Sequence, residues 1–387
     1  MLTNRDLSEL ITFRRALHRR PELSGEERET ARKIAEALEA LSPIRILTGL
    51  GGHGVAAIFD SGIEGPTVLF RAELDGLPIT ELNDIDWVSE VPGKSHVCGH
   101  DGHMTMLLAL GRRISRQGVA RGRVVLMFQP SEEDGRGAKA VVADAAYSEL
   151  QPDWAFAIHI EPGRPFGWVS TCPGLINCAS LGLKVMLTGK TTHAADPEDG
   201  VSPVLAIAEA LPDLQALGAG GVLDNDFRLA TITHVQIGEP TFGIAPGAGE
   251  IFVTLRTASD AALQDLEQDA RRLLSAIAES HGLGITFEVH DHFAASINDS
   301  EAFEVAAKAM DTIGVCHSSS GVPMRASEDF GVFGWSAKAA MLCLGPGEHY
   351  AALHNPDYDF PDDLIPVGCK IFEQIARDLL GSADLQI

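Results

Sequence analysis

The sequence predicts an α/β protein: a mixed, mostly parallel sheet flanked by helices, with an inserted ferredoxin-like α+β domain. Outside residues 177–292, apolar strand-like runs alternate with amphipathic helical runs, the order typical of a parallel sheet covered on both faces. Within 177–292 the order becomes strand, helix, strand, strand, helix, strand, as in a ferredoxin-like unit. The predicted domains are therefore 1–176 together with 293–387, and 177–292.

The first part of the larger domain contains the runs expected to carry function. Helical spacing over residues 5–41 predicts one helix interrupted by a turn at Pro21 and Gly25. Apolar runs bounded by glycine or polar residues predict four strands, GHGVAAIFDSG, PTVLFRAELDG, GRVVLMFQPSEEDG and DWAFAIHIEP. Between the second and third strands, VCGHDGH leads into a helix. Chemistry in such sheets gathers at the strand ends.

The inserted domain and the C-terminal part complete the expected topology. The inserted elements are, in chain order, LGLKVMLTGK, SPVLAIAEALPDLQAL, RLATITHVQIG, GEIFVTLRTAS, LQDLEQDARRLLSAIAESHG and ITFEVHDHF. After residue 293, the helical runs EAFEVAAKAMDTIG and IPVGCKIFEQIARDLLG enclose the apolar strand AAMLCLG. We expect this strand to rejoin the first sheet, which makes the larger domain discontinuous.

Composition excludes several classes of partner. Among 387 residues, 54 are acidic and 30 are Lys or Arg, which gives a formal net charge of -24. This charge repels nucleic acid and anionic membranes, so neither is an expected partner. The sequence shows no secretory signal pattern and no run long enough to span a membrane, so we expect a cytoplasmic location. Six cysteines without paired short spacings argue against a disulfide framework or a structural zinc ribbon.

A set of potential metal ligands lies at predicted strand ends and in loops beside glycine or proline. Its members are Cys98, His100, Glu132, Glu133, His159 and His354. Taken singly, each is more typical of a structural residue. Their shared position allows several to converge on one side of the sheet. A thiolate, imidazoles and carboxylates together suit zinc, manganese or cobalt rather than calcium or magnesium.

The adjacent glutamates after an apolar strand are the most informative detail. Metal-assisted hydrolysis needs one carboxylate that holds the ion and another that takes a proton from water. Neighbouring side chains on a turn can point in different directions and so divide these roles.

Six ordered motifs resemble a known family. They are RAELDGLPITE, VCGHDGHMTMLL, QPSEEDGRGA, GKTTHAADP, SEDFGVF and LHNPDYDF. At these spacings they are similar to the metal-dependent amidohydrolases that include hippurate hydrolase and the plant hydrolases of indole-acetyl amino acid conjugates. This family is a branch of the aminoacylase and carboxypeptidase superfamily. The resemblance covers nearly the whole chain.

The resemblance implies a site with two divalent metal ions, Mn²⁺ or Zn²⁺, with Co²⁺ or Ni²⁺ as alternatives. The implied ligands are Cys98 as a bridge, His100, Glu133, His159 and His354. Glu132 is then the general base. The resemblance also implies that His193 of the inserted domain reaches the active site of a neighbouring subunit and steadies the oxyanion. The inserted domain is thus expected to be a lid and dimerisation domain, in a homodimer or a dimer-based tetramer.

Three further residues are candidates for orienting the ligands or binding the substrate, and each also has a purely structural interpretation. Asp75 and Asp101 are expected to orient a ligand imidazole, or else to be turn and cap residues. Arg256 can grip the carboxylate of an amino acid, although a salt bridge is an equally good interpretation. Ser327, Glu328 and Asp329 are assigned to loop support. Nine further histidines are assigned to structural positions: His18, His53, His96, His234, His281, His290, His292, His317 and His349.

Three departures from the family pattern concern the substrate. Glu198, Ser202 and Gly243 stand where the family commonly has His, Asp and Asn. The loss of the Asn removes an amide donor and acceptor from the expected substrate region, which makes hippurate itself doubtful.

The favoured function is hydrolysis of the amide bond of N-acyl amino acids. One alternative is a dipeptidase or carboxypeptidase of the same superfamily. The other is a non-catalytic metal- or ligand-binding protein on this scaffold.

Overall fold

The computed structural model describes residues 2–383. The chain folds into two compact units. The first unit consists of Met1–Ile176, Ser296–Val322 and Glu328–Ile387, and the second of Asn177–Ala295 and Pro323–Ser327. None of the helices within residues 2–383 is both long and apolar enough to cross a membrane.

Helices and strands alternate along most of the chain. The α-helices of the described residues are α1 (Asn4–His18), α2 (Arg28–Glu39), α3 (His100–Arg116), α4 (Gly137–Ala143), α5 (Val204–Ala216), α6 (Asp260–Ser280), α7 (Ser300–Ile313) and α8 (Ile365–Leu380). The strands are β1 (Arg45–Leu50), β2 (Gly54–Asp60), β3 (Thr67–Glu73), β4 (Arg123–Gln129), β5 (Trp154–Ile160), β6 (Val169–Ser170), β7 (Gly174–Asn177), β8 (Ala179–Thr188), β9 (Thr192–His193), β10 (Arg228–Ile237), β11 (Ile244–Ala245), β12 (Ala248–Thr257), β13 (Gly284–Phe293), β14 (Ser296–Asn298), β15 (His317–Ser318) and β16 (Lys338–Leu344).

The first unit is built on an eight-stranded mixed sheet with the order β1-β2-β4-β3-β5-β16-β6-β15. The central strands β4, β3, β5 and β16 run parallel to one another, whereas β1 and β2 continue the sheet in antiparallel pairs. Every residue of β3 is buried, as expected for a strand covered on both faces. The predicted α/β sheet is therefore confirmed, and β16 is the late strand that rejoins it.

The parallel pairing brings several strand ends to one edge of this sheet. Glu73 at the end of β3 lies opposite Gln129 at the end of β4. His159 near the end of β5 lies opposite Cys343 of β16. The segments that follow β3, β4 and β5 therefore start side by side. Helix α3 packs against β3 and against α8.

The second unit contains a four-stranded antiparallel sheet with the order β10-β12-β8-β13. With α5 after β8 and α6 after β12, its elements follow the βαββαβ order of a ferredoxin-like unit. Alternate residues of β8, such as Leu183 and Val185, are buried, as expected for an antiparallel sheet with one face covered by helices. A separate two-stranded sheet pairs β9 with β11.

Candidate metal centre

Four segments of the first unit bring the predicted ligands together. Cys98 is followed by Gly99, whose positive φ of 85° turns the chain so that α3 begins at His100. Glu132 and Glu133 lie in the turn after β4, and His159 lies in β5. The fourth segment is the loop that precedes α8, where His354 has a φ of 64° and its N–H donates to the carbonyl of Val97 at 2.9 Å.

The side chains of these segments approach one another closely, and their histidine–carboxylate pairs are longer than hydrogen bonds. Cys98 Sγ lies 3.5 Å from His159 Nε2. His100 Nε2 lies 3.8 Å from a carboxylate oxygen of Glu132 and 3.8 Å from one of Glu133. His354 Nε2 lies 3.6 Å from Glu133 Oε2.

Two of the resulting groups share the thiol. One contains Cys98, His100 and His159, and the other contains Cys98, Glu133 and His354, with the donor atoms of each group within 4.8 Å of one another. Sulfur, nitrogen and oxygen donors in this mixture suit a borderline divalent ion. The shared thiol gives two such groups a common ligand.

Two buried atoms at the centre have no partner in the protein. His100 Nε2 and Glu133 Oε1 are both buried without a hydrogen bond. Such atoms are rare, because an unsatisfied buried polar group costs about 1–3 kcal/mol. A cation placed among these donors satisfies both atoms at once. The residues present therefore fit a divalent metal ion.

Backbone carbonyls fix the orientation of two imidazoles. His100 Nδ1 donates to the carbonyl of Asp75 at 2.9 Å, and His159 Nδ1 donates to the carbonyl of Ile160 at 2.7 Å. Each bond holds a proton on Nδ1 and turns Nε2 toward the centre, where Nε2 of the neutral imidazole offers a lone pair. This is the arrangement that metal-binding histidines normally have.

The protonation of the centre reflects an excess of acidic groups. Burial raises the pKa of Glu132 and of Glu133, and burial with the nearby carboxylates raises the pKa of the Cys98 thiol well above its ordinary value. Burial lowers the pKa of His100, but hydrogen bonding to Asp75 and the charge of Glu73 outweigh it and raise the pKa to about 10. Protons thus neutralise the cluster, and a bound cation would displace them.

The two aspartates that were expected to orient an imidazole differ. The Asp75 carboxylate accepts from Glu133 N at 3.0 Å, and one of its oxygens lies 3.5 Å from His100 Nδ1. Asp101 instead accepts from Arg14 and bonds His18, at 3.1 Å and 2.8 Å, so it does not orient a ligand imidazole. Consecutive residues of a helix project about 100° apart, which turns Asp101 away from the centre that His100 faces.

A buried pair that sequence reasoning missed lies beside the centre. His103 Nδ1 bonds Glu73 at 2.8 Å, and His103 Nε2 accepts from the N–H of Ile160 at 3.0 Å. His103 therefore fixes the backbone next to His159. The spacing of three residues from His100 on α3 was the available signal, since such residues share a helix face.

Glu328 and Asp329, predicted as loop support, join this buried network through Arg71. Arg71 Nη2 donates to Glu328 at 2.8 Å and to Asp329 at 2.7 Å, and Arg71 also pairs with Glu73. Carboxylate oxygens of Glu132, Glu328 and Asp329 lie within 4.8 Å of one another. The two residues thus border the predicted base as well as supporting a loop.

The remaining predicted site residues, His193 and Arg256, lie in the second unit. The His193 side chain is 70% exposed on β9, where its Nδ1 accepts from Ala195 N at 3.1 Å. Arg256 of β12 donates to the carbonyl of Arg325 at 3.0 Å and to Ser327 Oγ at 2.7 Å. Within the described residues of that unit these partners are neutral, so the alternative of a salt bridge is not what the structure contains there.

Known proteins are similar to this chain in sequence and in fold. The family model described as peptidase family M20/M25/M40 matches residues 69–378. The IAA-amino acid hydrolase ILR1-like 2 of Arabidopsis thaliana is 30% identical over 380 residues, which cover 96% of this chain and 85% of that protein. The N-acetylcysteine deacetylase of Bacillus subtilis (strain 168) is 26% identical over 377 residues, 95% of this chain and 96% of that protein.

A solved structure extends the similarity to three dimensions. The Bacillus subtilis YXEP protein, described as a dinuclear metal-binding peptidase from the M20 family, is 25% identical with a TM-score of 0.81. The match covers 98% of this chain and 99% of that chain. The similarity therefore extends over both units.

Proposed function

The chain belongs to peptidase family M20/M25/M40, a family of metal-dependent hydrolases, and from this premise we propose that it hydrolyses the amide bond of N-acyl amino acids to a carboxylic acid and a free amino acid. The observation that carries the proposal is the convergence of unpartnered donor atoms, above all His100 Nε2 and Glu133 Oε1, on one buried point. The acyl amino acid substrates in the names of the two sequence relatives support this substrate class.

The proposed ligands divide between two divalent ions, Mn²⁺ or Zn²⁺, with Co²⁺ or Ni²⁺ as alternatives. They are Cys98, His100, Glu133, His159 and His354. Cys98 belongs to both groups of donors, which supports a bridging thiolate. When bound, such ions polarise the substrate carbonyl and lower the pKa of water.

Glu132 is the proposed general base. Its carboxylate is buried, lies 3.8 Å from His100 Nε2 and is next in the chain to the proposed ligand Glu133. It accepts a proton from the attacking water and then donates that proton to the departing amine nitrogen. One carboxyl group thus serves both steps, and no proton has to be exchanged with solvent between them.

Two residues of the second unit complete the proposed mechanism. His193 steadies the oxyanion in the active site of a neighbouring subunit, so the second unit, residues 177–292 of the predicted insertion, acts as a lid and dimerisation domain. The His193 imidazole is exposed, and its Nε2 can donate a hydrogen bond to a substrate carbonyl oxygen. Arg256 binds the carboxylate of the amino acid portion, supported by its positive charge and neutral neighbours. The assembly is a homodimer or a dimer-based tetramer.

A substrate panel tests the proposal. Metal-free protein is loaded with Mn²⁺, Zn²⁺ or Co²⁺ and assayed for amino acid release from N-acetyl, N-benzoyl and N-indoleacetyl amino acids, and from unblocked dipeptides. Hydrolysis confined to dipeptides would replace the proposal with a dipeptidase, and metal binding without any hydrolysis would leave a non-catalytic binding protein.

The Glu132→Gln variant tests the assignment of the base. We expect turnover to fall roughly 10²–10⁴-fold, because the amide cannot take the proton, while the metal content stays unchanged. Asp134→Asn is the matched control on the same turn, since the Asp134 carboxylate bonds Arg136 on the surface. Wild-type turnover in Glu132→Gln contradicts the assignment.

A further inference from the structure

A buried carboxylate of the N-terminal region contacts the turn that carries the proposed base. Glu27 is fully buried, and its Oε1 accepts from the backbone N–H of Ser131 at 2.7 Å and from Ser131 Oγ at 3.3 Å. Glu27 immediately precedes α2, yet its side chain does not cap that helix. The carboxylate instead bonds a segment about a hundred residues away in the chain, directly before Glu132.

Ser131 has a conformation that needs support. Its φ is 52°, in the left-handed region, which costs a non-glycine residue about 1–2 kcal/mol. Its N–H is held by Glu27, and its carbonyl accepts from Gly137 N at 2.9 Å. Both peptide groups of Ser131 are thus fixed, and together they set the direction in which the chain enters Glu132.

The same N-terminal segment also holds the other side of the turn. Ser24 Oγ donates to Asp75 Oδ2 at 2.8 Å, and that oxygen accepts from Glu133 N at 3.0 Å. The backbone is therefore held on both sides of Glu132, by the Glu27 carboxylate at Ser131 and by the Asp75 carboxylate at Glu133. Residues 24–27 contain Glu27 and also contact Asp75 through Ser24. Glu27 Oε2 is buried without a hydrogen-bond partner. Such an atom destabilises the fold, and packing alone does not explain why a carboxylate stands at this position.

We propose that Glu27 is a positioning residue that holds Ser131 in its left-handed conformation and thereby aims Glu132 and sets its separation from Glu133. The effect on rate rests on the proposed function, because it requires Glu132 to be the base. The effect on the geometry of Glu133 does not, because it can be measured without substrate.

The first experiment compares two glutamates of the same segment. In Glu27→Ala we expect kcat to fall roughly 10–100-fold with KM within about twofold, because a displaced catalytic group lowers the rate more than substrate binding. Glu22→Ala is the matched control: Glu22 accepts from Thr30 N and Oγ1 at 2.7 Å and 2.9 Å and so caps α2 without contacting the turn. We expect its kcat to equal that of the wild type. Glu27→Gln, which keeps an acceptor oxygen, should retain most of kcat.

The second experiment asks whether the backbone of Ser131 carries the effect. Glycine adopts a positive φ without strain. We therefore expect the double variant Glu27→Ala/Ser131→Gly to regain several-fold of the kcat lost in Glu27→Ala. If Glu27→Ala does not fold, Glu27→Asp gives the same comparison, because its shorter side chain withdraws the carboxylate from Ser131.

A substrate-independent measurement separates this inference from the proposed function. In Co²⁺-loaded protein, the visible absorption bands report ligand geometry, and we expect them to shift in Glu27→Ala but not in Glu22→Ala. A wild type without amidase activity overturns the proposed function and leaves this spectral comparison intact. Equal kcat and equal spectra in wild type, Glu27→Ala and Glu22→Ala overturn the positioning role, as does a loss of kcat that Ser131→Gly does not relieve.

Discussion

Two buried clusters of acids and histidines lie in the first unit, and they are neutralised in different ways. The first, here called the Arg14 cluster, contains Arg14, His18, Glu81, Asp101 and Asp359. In it each carboxylate lies within 3.1 Å of a cationic partner from the chain. In the candidate metal centre, the imidazoles and carboxylates stand 3.6 to 3.8 Å apart. Both clusters contain buried atoms without a hydrogen-bond partner, so the separation of opposite charges is what distinguishes them.

The pKa shifts of the two clusters show the same difference. Burial lowers the pKa of His18, but the charge of Asp101 and its hydrogen bonds to Asp101 and Glu81 outweigh burial and raise the pKa to about 9. The Arg14 cluster therefore contains its own cations. In the metal centre the pKa of His100 is also raised, to about 10, but burial raises the pKa of Glu132, Glu133 and Cys98 as well. The difference teaches that the chain supplies a cationic partner to each carboxylate of the first cluster, whereas the second contains more acidic groups than its own imidazoles neutralise and therefore suits an added cation.

Removal of divalent ions is expected to have the largest effect and to act on the metal centre alone. A chelator should abolish hydrolysis, because the ions supply the Lewis acid, and added Mn²⁺, Zn²⁺ or Co²⁺ should restore it. The melting temperature should fall as well, since ligands bound only to the folded state stabilise it. Activity is measured together with metal content per chain. Full turnover in protein from which both ions have been removed contradicts the proposal that the metal centre, unlike the Arg14 cluster, needs an added cation.

Arg14→Met is expected to have the next largest effect and to act on the Arg14 cluster. The variant leaves the buried Asp101 and the half-buried Asp359 without their guanidinium partner, which should lower the free energy of unfolding by about 3–5 kcal/mol. Urea unfolding of metal-loaded protein measures this change.

Arg5→Met is the matched control for Arg14→Met on the same helix. Arg5 pairs with Glu9 at 2.9 Å, but its side chain is 89% exposed, so its loss should leave the free energy of unfolding nearly unchanged. Equal losses in the two variants contradict the view that the Arg14 cluster is a structural ion network.

The fold was predictable where the sequence pattern is long and local. The continuous apolar runs of β3 and β4 and the helical spacing of α3 and α8 identify their elements directly. The family resemblance is confirmed by the match over residues 69–378. Strands of two to four residues, such as β9, β11 and β15, were missed because so few residues show no periodicity. The helical run predicted over 5–41 is interrupted between His18 and Arg28, around the turn predicted at Pro21 and Gly25.

The site was predictable as a set of residue types but not as a network of partners. The order of strand ends could place Cys98, His100 and Glu133 near one another. It could not show that Arg71 pairs with Glu328, because that contact joins positions 257 residues apart and carries no local pattern. Nor could the sequence show that Asp101 bonds Arg14 and His18, because these partners lie on α1, whose packing against α3 only the folded chain defines.

The smallest of the three expected effects is a pH dependence of stability that arises from His18. Its pKa is raised from 6.5 to about 9 in the folded protein, so its stabilising contribution is fully present below about pH 6.5 and is lost as the pH rises through 9. A shift of this size corresponds to about 3 kcal/mol. Urea unfolding of the wild type and of His18→Gln between pH 6 and 10 measures it. The difference between the two curves reports His18 together with Asp101 and Glu81, whose pKa values it lowers. The wild type should lose more stability across this range, and parallel curves would show that Asp101 and Glu81 do not hold a charged imidazole between them.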